Sequence, residues 1–295
     1  MKAAVEQFLD HLIYARGLSA NTRDAYTRDL GAFADFLAPQ GVNTPGAVSR
    51  RLVVDFLAHE QARGLAGSTL ARRLVTLKVF FGWLQAEGRL DQNVTEALDA
   101  PRLWQKLPET LAPEEVNRLI AAAGGDQPLQ RRDRAMLELL YACGLQASEL
   151  TTLRLEDIHL DDGFIRCVGK GNRARVVPLG RAAAEAIRGY LAEARPRLAR
   201  GRADDTLFLS RLGRGLSRQT LWRLVERCAL AAAIRGHVHP HMLRHCFASH
   251  LLGNGAQLRA IQEMLGHADI ATTQIYTHVD AGRLLAVHRQ FHPRA

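Results

Sequence analysis

The sequence predicts a mainly helical protein with a small β-sheet, divided into two parts. Three observations carry this. Apolar residues recur at helical spacing through the first hundred positions. A segment with two prolines and few periodic positions then interrupts the pattern at 99–112. Beyond it, short strand-like runs around a Gly-containing turn join the helical pattern. A length of 295 residues suits two domains, each large enough for its own core. With 47% apolar and 23% charged residues, the chain is neither disordered nor fibrous.

The elements follow in order. Val5, Phe8, Leu9, Leu12 and Ile13 form one helical stripe. Glu6 and Asp10 interrupt it, so the start reads as an amphipathic helix and not as a cleaved signal. After Gly17, Ser19 is an N-cap for a helix carrying Tyr26, Leu30, Phe33 and Leu37. The polar string Ser19-Ala-Asn-Thr-Arg-Asp-Ala-Tyr at that helix start suits either phosphate binding or simple capping. Pro39, Gly41, Pro45 and Gly46 punctuate, and helices follow at 49–63 and 68–87, the second with Leu74, Leu77, Phe80, Phe81 and Leu84. Four to five short helices make a bundle over 1–98. Segment 99–112 reads as a linker, basic enough to lie along a phosphate backbone or to serve as a plain tether. The second domain, 113–295, opens with helices at 113–122 and 131–142 that stop at Gly144. Strands GFIRCVG and RARVVPL flank KGN, which puts Lys170 on a hairpin tip. A third strand is expected at 206–210, TLFLS. Long helices are expected at 181–195 and 217–233, and another from Pro240 to Leu252, stopped by Gly253 and Gly255. Three more short helices end the chain.

Net charge is +9, and only four of the 39 basic residues are lysine. Arginine makes the better bidentate phosphate contact. Residues 1–105 carry 12 basic and 11 acidic side chains, while residues 106–295 carry 27 and 19. The positive field therefore belongs to the second domain, and a nucleic acid is the natural partner. No run approaches about 18 apolar residues, so no membrane span is expected. Cys143, Cys167, Cys228 and Cys246 lack CxxC spacing and read as buried thiols in a reducing cytoplasm.

Nine of the twelve histidines lie between 237 and 292. His241 and His245 have the i, i+4 spacing of metal ligands. Against a metal stand Arg244 in the same turn and the lack of an accompanying Cys, Asp or Glu cluster. His241 and Arg244, at i and i+3, share a helix face and form an anion site with a proton donor. Further on come His267, in Leu-Gly-His, and Tyr276, whose phenol needs nearby cations or a base to act as a nucleophile. Lys170 is a mobile ammonium able to protonate a leaving oxygen. Each residue alone also fits a packing role, and His245, His250 and His278 read as structural. The set points to phosphoryl chemistry.

Four strings occur in order: Gly169-Lys-Gly-Asn, His241-Met-Leu-Arg-His-Cys-Phe-Ala-Ser-His-Leu-Leu, Leu265-Gly-His-Ala-Asp and Thr272-Thr-Gln-Ile-Tyr-Thr-His-Val. Together they resemble the tyrosine recombinase (phage integrase) family across essentially the whole chain. The end, His288-Arg-Gln-Phe-His-Pro-Arg-Ala, is similar to the XerD side of the XerC/XerD-like branch. The resemblance implies an N-terminal helical core-binding (SAM-like) domain, a C-terminal α+β catalytic domain, and closure of the two around a DNA duplex. It implies cutting and rejoining of DNA without metal, ATP or another cofactor, through a 3′-phosphotyrosyl link. Tyr276 would be the nucleophile, Lys170 the acid for the leaving 5′-oxygen, and Arg244, His241 and His267 the phosphate ligands. It further implies a dif-like site, a XerC-type partner in a tetramer, a septal DNA translocase, and a cytoplasmic role in chromosome partition at cell division.

One position departs from the family string Gly-Leu-Arg-x-Ser-Glu-Leu. Here Gln146 stands in Gly144-Leu-Gln-Ala-Ser-Glu-Leu, where the resemblance places the first catalytic Arg. Glutamine can hydrogen-bond but carries no charge. The loss would cost about 10³–10⁵ in rate if charge matters, or roughly 10²–10³ if only a donor does. This leaves a DNA-binding member with impaired cleavage as the alternative function. Arg154 lies too far along a straight helix to fill in, and Arg173 or Arg175 on the hairpin are the nearer candidates. Arg72, Arg73, Arg218 and Arg223 are candidate DNA contacts on helices 68–87 and 217–233, with solvated faces as the alternative. Leu284, Leu285, Val287 and Phe291 make an apolar end helix, which either docks on a neighbouring protomer or packs in cis.

Overall fold

A computed structural model describes residues 1–16, 20–98, 110–168, 174–266 and 278–295. The chain divides into two compact units, Met1–Gln105 and Lys106–Ala295. Among the described residues no helix is long and apolar enough to cross a membrane.

The first unit is all helical: α1 (Lys2–Arg16), α2 (Ala20–Leu37), α3 (Arg50–Ala62) and α4 (Gly67–Ala86). Phe8, Leu30, Phe33, Phe56, Leu74, Leu77, Phe80 and Phe81 fill its core. The rings meet edge to face, as with Phe33 and Phe56 at 5.1 Å, the arrangement that aromatic quadrupoles favour. Ser49 caps α3, its hydroxyl accepting from the Leu52 N–H at 3.3 Å. The expected cap Ser19 lies outside the described residues. Inside this apolar core sit two carboxylates, Asp29 and Glu60, and Thr76. Arg73 pairs with both acids and Arg72 with Asp29.

The second unit opens with α5 (Pro113–Ala121) and α6 (Pro128–Ala142). Helix α6 starts three residues earlier than the sequence suggested, because Pro128 occupies its first turn, where no N–H is needed. Gly144 ends it at φ +55°, and a Cβ there would meet the Phe247 ring at 2.4 Å. A short helix, α7 (Ala147–Thr152), leads to a three-stranded antiparallel sheet of β1 (Ile158–His159), β2 (Phe164–Val168) and β3 (Ala174–Pro178), in the order β1-β2-β3. Cys167 faces Arg175 across the β2–β3 pair. The hairpin tip, with Lys170, lies outside the described residues.

The strand expected at 206–210 does not form. Thr206 and Leu209 make only isolated bridges, to Arg154 and Gly215, and β1 supplies the third strand. Side chains take the place of a ladder: the Tyr190 hydroxyl donates to the Leu207 carbonyl and accepts from the Leu209 N–H, both at 3.1 Å. Leu207, Phe208 and Leu209 are all fully buried, which a half-exposed strand cannot achieve. The helix expected at 181–195 is α8 (Arg181–Gly189), a π-turn at Tyr190–Ala194, and α9 (Arg195–Ala199). Pro196 lacks the N–H that a regular helix would donate back into this turn. Then follow α10 (Arg218–Ala231), α11 (Pro240–Gly253), α12 (Leu258–Leu265) and α13 (His278–Phe291). Of the three short helices expected at the end, the described residues hold two, α12 and α13, and α13 spans 14 residues; 267–277, between them, lie outside the described residues. Leu284 of α13 is fully buried against its own chain, and the Asn254 amide donates to the Phe291 carbonyl at 2.7 Å. All four cysteines are free and buried.

Residues 99–109 of the expected linker are not described. Its far end is anchored: the Leu111 N–H points at the Cys246 sulfur, and the Leu111 carbonyl at His250 Nε2, 2.9 Å away.

Candidate active site

Helix α11 presents the HxxR face. His239 is its N-cap, with Nδ1 accepting from the Met242 N–H at 3.2 Å, and Pro240 occupies the first turn. His241 is exposed one turn before Arg244, which is nearly buried. Burial, then the His245 and Arg244 charges, lower the His241 pKa.

Arg244 gathers segments far apart in sequence. Its Nη1 donates to the Gly144 carbonyl and its Nη2 to the Leu265 carbonyl, each at 2.7 Å. These carbonyls belong to the two strings that carry Gln146 and His267. Glu149 lies 3.8 Å away. Burial, then the Arg175 charge, lower the Arg244 pKa to about 10, with Glu149 opposing. A guanidinium held by neutral carbonyls keeps its net charge for an incoming anion.

Glu149 is the hub beneath. It accepts from the Gln146 N–H at 2.7 Å, closing the first turn of α7, and pairs with Arg175 through Nη1 and Nη2. Arg175 also donates through Nε to the Met264 carbonyl at 2.7 Å. Burial works against the Arg175 charge, but the Glu149 hydrogen bonds and charge prevail and raise its pKa. Arg175 is therefore fixed on Glu149 and the end of α12, and does not swing toward position 146. Arg154 does not lie on the helix that opens after position 146, and its backbone bridges Thr206. Helix α7 ends at Thr152, and Arg154 has extended backbone at φ −104° and ψ 165°. Gln146 itself has an exposed side chain just before α7.

The structure thus links the Gln146 backbone to Arg244 through Glu149, with His241 one turn before Arg244 on α11. Lys170, Arg173, His267 and Tyr276 lie outside the described residues. Sequence reading missed Glu149 as the hub, although its place three residues after Gln146 is a capping-box signal. It also missed His239 and Trp222, whose rings stack at 5.3 Å and 25°. Among the described residues no three His, Cys, Asp or Glu side chains converge as a metal site.

The candidate DNA contacts separate. Arg73 is mostly enclosed and bound to Asp29 and Glu60, so its charge is committed inside the first unit. Arg72 is half-exposed and holds Asp29. In the second unit Arg218 opens α10 and Arg223 is exposed on it.

Comparison with known proteins places the molecule. The model of the phage integrase family matches residues 109–283, and that of the phage integrase N-terminal SAM-like domain matches residues 5–88. The tyrosine recombinase XerD of Listeria monocytogenes serotype 4b is 43% identical over 297 residues, covering 100% of both chains. XerD of Pseudomonas aeruginosa is 43% identical, covering 98% of this chain and 97% of its own. Among solved structures, the XerH site-specific recombinase bound to a palindromic difH substrate, a post-cleavage complex, has a TM-score of 0.72 at 24% identity, covering 95% of this chain and 82% of its own. The XerA recombinase structure has a TM-score of 0.51 at 27% identity, covering 100% and 99%.

Proposed function

The chain belongs to the phage integrase family, and from that premise we propose how it acts. It is a site-specific tyrosine recombinase that binds DNA and cuts and rejoins it. The full-length likeness to XerD proteins supports a role in chromosome dimer resolution. On this reading the chain works in the cytoplasm on a dif-like site, beside a XerC-type partner within a tetramer, with a septal DNA translocase as activator. Residues 1–98 and 113–295 both contact the duplex, and 99–112 joins them.

The reaction assigns each residue a task. The Tyr276 oxygen attacks the scissile phosphorus in line, forming a 3′-phosphotyrosyl bond as the P–O5′ bond breaks. The Tyr276 proton leaves to a base, and Lys170 donates a proton to the departing 5′-oxygen. Arg244 holds nonbridging oxygens while His241 and His267 hydrogen-bond the phosphate. Gln146 offers a neutral donor at the same phosphate. A 5′-hydroxyl from another strand then attacks the phosphotyrosyl bond and restores the phenol. Phosphoryl transfer of this kind depends on positioning and charge neutralisation rather than on redox or group-carrier chemistry.

One observation supports the reading above the others: Arg244 is clamped by the Gly144 and Leu265 carbonyls, so three sequence motifs meet at one guanidinium. The idea of a member that no longer cuts draws no support from the relatives, which are recombinases matched over the full chain. A nicked suicide duplex bearing the chromosomal site tests the assignment. The native protein should form a covalent protein–DNA adduct equally with and without EDTA, and Tyr276→Phe should form none. An adduct with Tyr276→Phe, or cleavage that EDTA abolishes, overturns it.

A further inference from the structure

We propose that His239 and Trp222 are positioning residues for strand cleavage: the imidazole caps α11, and the indole holds that imidazole in place. This rests on the reading of His241 and Arg244 as phosphate ligands.

The geometry is specific. The His239 Nδ1 accepts the Met242 N–H at 3.2 Å, so the ring must be bare at Nδ1 and carry its proton at Nε2. Trp222 of α10 lies nearly parallel to the ring, with centroids 5.3 Å apart. The His239 and His241 rings meet edge-on at 6.3 Å. The turn that His239 closes is the one from which His241 projects, and Arg244 follows three residues on. A cap that frays would move both groups at once, and a displacement of about 1 Å at a phosphoryl site can cost roughly a hundredfold. Serine or asparagine would make the same hydrogen bond without an aromatic face. The imidazole adds a flat surface that packs on α10, so the first turn of α11 is fixed to a second helix.

Using histidine here also makes the cap sensitive to protons. Protonation at Nδ1 removes the acceptor and places a cation at the positive end of a helix. The charged groups around the ring are His241 and His245 on α11 and His237 before it. On α10, Arg218 and Glu226 share the face of Trp222. Burial and the neighbouring histidines lower the His239 pKa, which favours the neutral capping form.

The test uses the full-length protein and a nicked duplex carrying a site selected by the native protein. Adduct formation is timed from pH 5.5 to 8.5, with DNA affinity and melting temperature measured in parallel. His239→Ala should slow cleavage about tenfold or more at pH 8 while DNA affinity changes less than about threefold. His239→Asn should restore the rate to within about threefold and should lose less activity than the native protein toward pH 5.5, since its cap does not titrate. Trp222→Ala should also slow cleavage with affinity retained. The proposal is overturned if His239→Ala cleaves at the native rate, if His239→Asn is as slow as His239→Ala, or if the native and Asn profiles superimpose. His241→Ala and Arg244→Ala run alongside. Native rates there overturn the site reading itself, whereas inactive variants beside a native-like His239→Ala overturn only the positioning role.

Discussion

Glu149 accepts from the Gln146 N–H and pairs with Arg175, and it lies 3.8 Å from Arg244. Its carboxylate is buried, so removing it strands the Arg175 charge and an amide N–H at once. Glu149→Ala should lower unfolding free energy by about 3–5 kcal/mol, read from urea denaturation. Arg73 is a milder case, because its loss leaves Asp29 with Arg72 and Glu60 with Arg63, both half-exposed or more. Arg73→Ala should destabilise the first unit by about 1.5–3 kcal/mol. A loss of DNA affinity with unchanged stability would restore it as a phosphate contact. Position 146 behaves differently, since its side chain is exposed and makes no contact that folding needs. Gln146→Ala should leave stability within about 0.5 kcal/mol but slow adduct formation roughly 10²–10³-fold. Gln146→Arg, which adds a charge beside Arg244, should speed it.

At the scale of elements, the end of the chain carries two strongly shifted histidines. Helix α13 and the tail after it bury His288 and His292, stacked at 4.5 Å, against Tyr141 and Phe247. His288 Nε2 faces the Ala142 carbonyl at 2.8 Å, while His288 Nδ1 and His292 Nε2 are buried without partners. Burial lowers the His288 pKa to about 4, and burial with the His288 charge lowers that of His292 to about 2. Both folded values lie below the unfolded 6.5, so the unfolded chain binds more protons in the window beneath 6.5. Their stabilisation is complete above pH 6.5 and is lost as pH falls, by up to about 1.4 kcal/mol per histidine per pH unit. Urea midpoints should drop between pH 7.5 and 5.5, and His292→Phe should make the drop shallower. An unchanged slope would mean the tail is not docked this way in solution. The elements also show where local pattern misled. The apolar run at 206–210 has strand composition, but Tyr190 and Arg195 side chains take much of its backbone bonding and only isolated bridges supply the rest.

For the whole molecule, the excess of cations in residues 106–295 should dominate DNA affinity. Log Kd should rise linearly with log salt, and each phosphate contact removed should reduce the slope by about one. Arg223→Ala should do so, being exposed on α10, whereas Arg73→Ala should not. A salt-independent affinity would mean that charge does not carry the binding. The sequence by itself determined the helical character, the paired strands β2 and β3, and the placing of His241 and Arg244 on one helix face. These follow from periodicities of a few residues and from chemistry written in single side chains. Only the tertiary structure decided which arginines are available to DNA. Arg73 and Arg175 look like surface cations in a basic sequence, yet each neutralises a carboxylate that chain folding carries into a core. Likewise, no spacing rule joins Gly144, Arg244 and Leu265, or sets Trp222 on His239. Such contacts arise where distant segments pack, and their partners are chosen by which carbonyls and rings the fold leaves within reach.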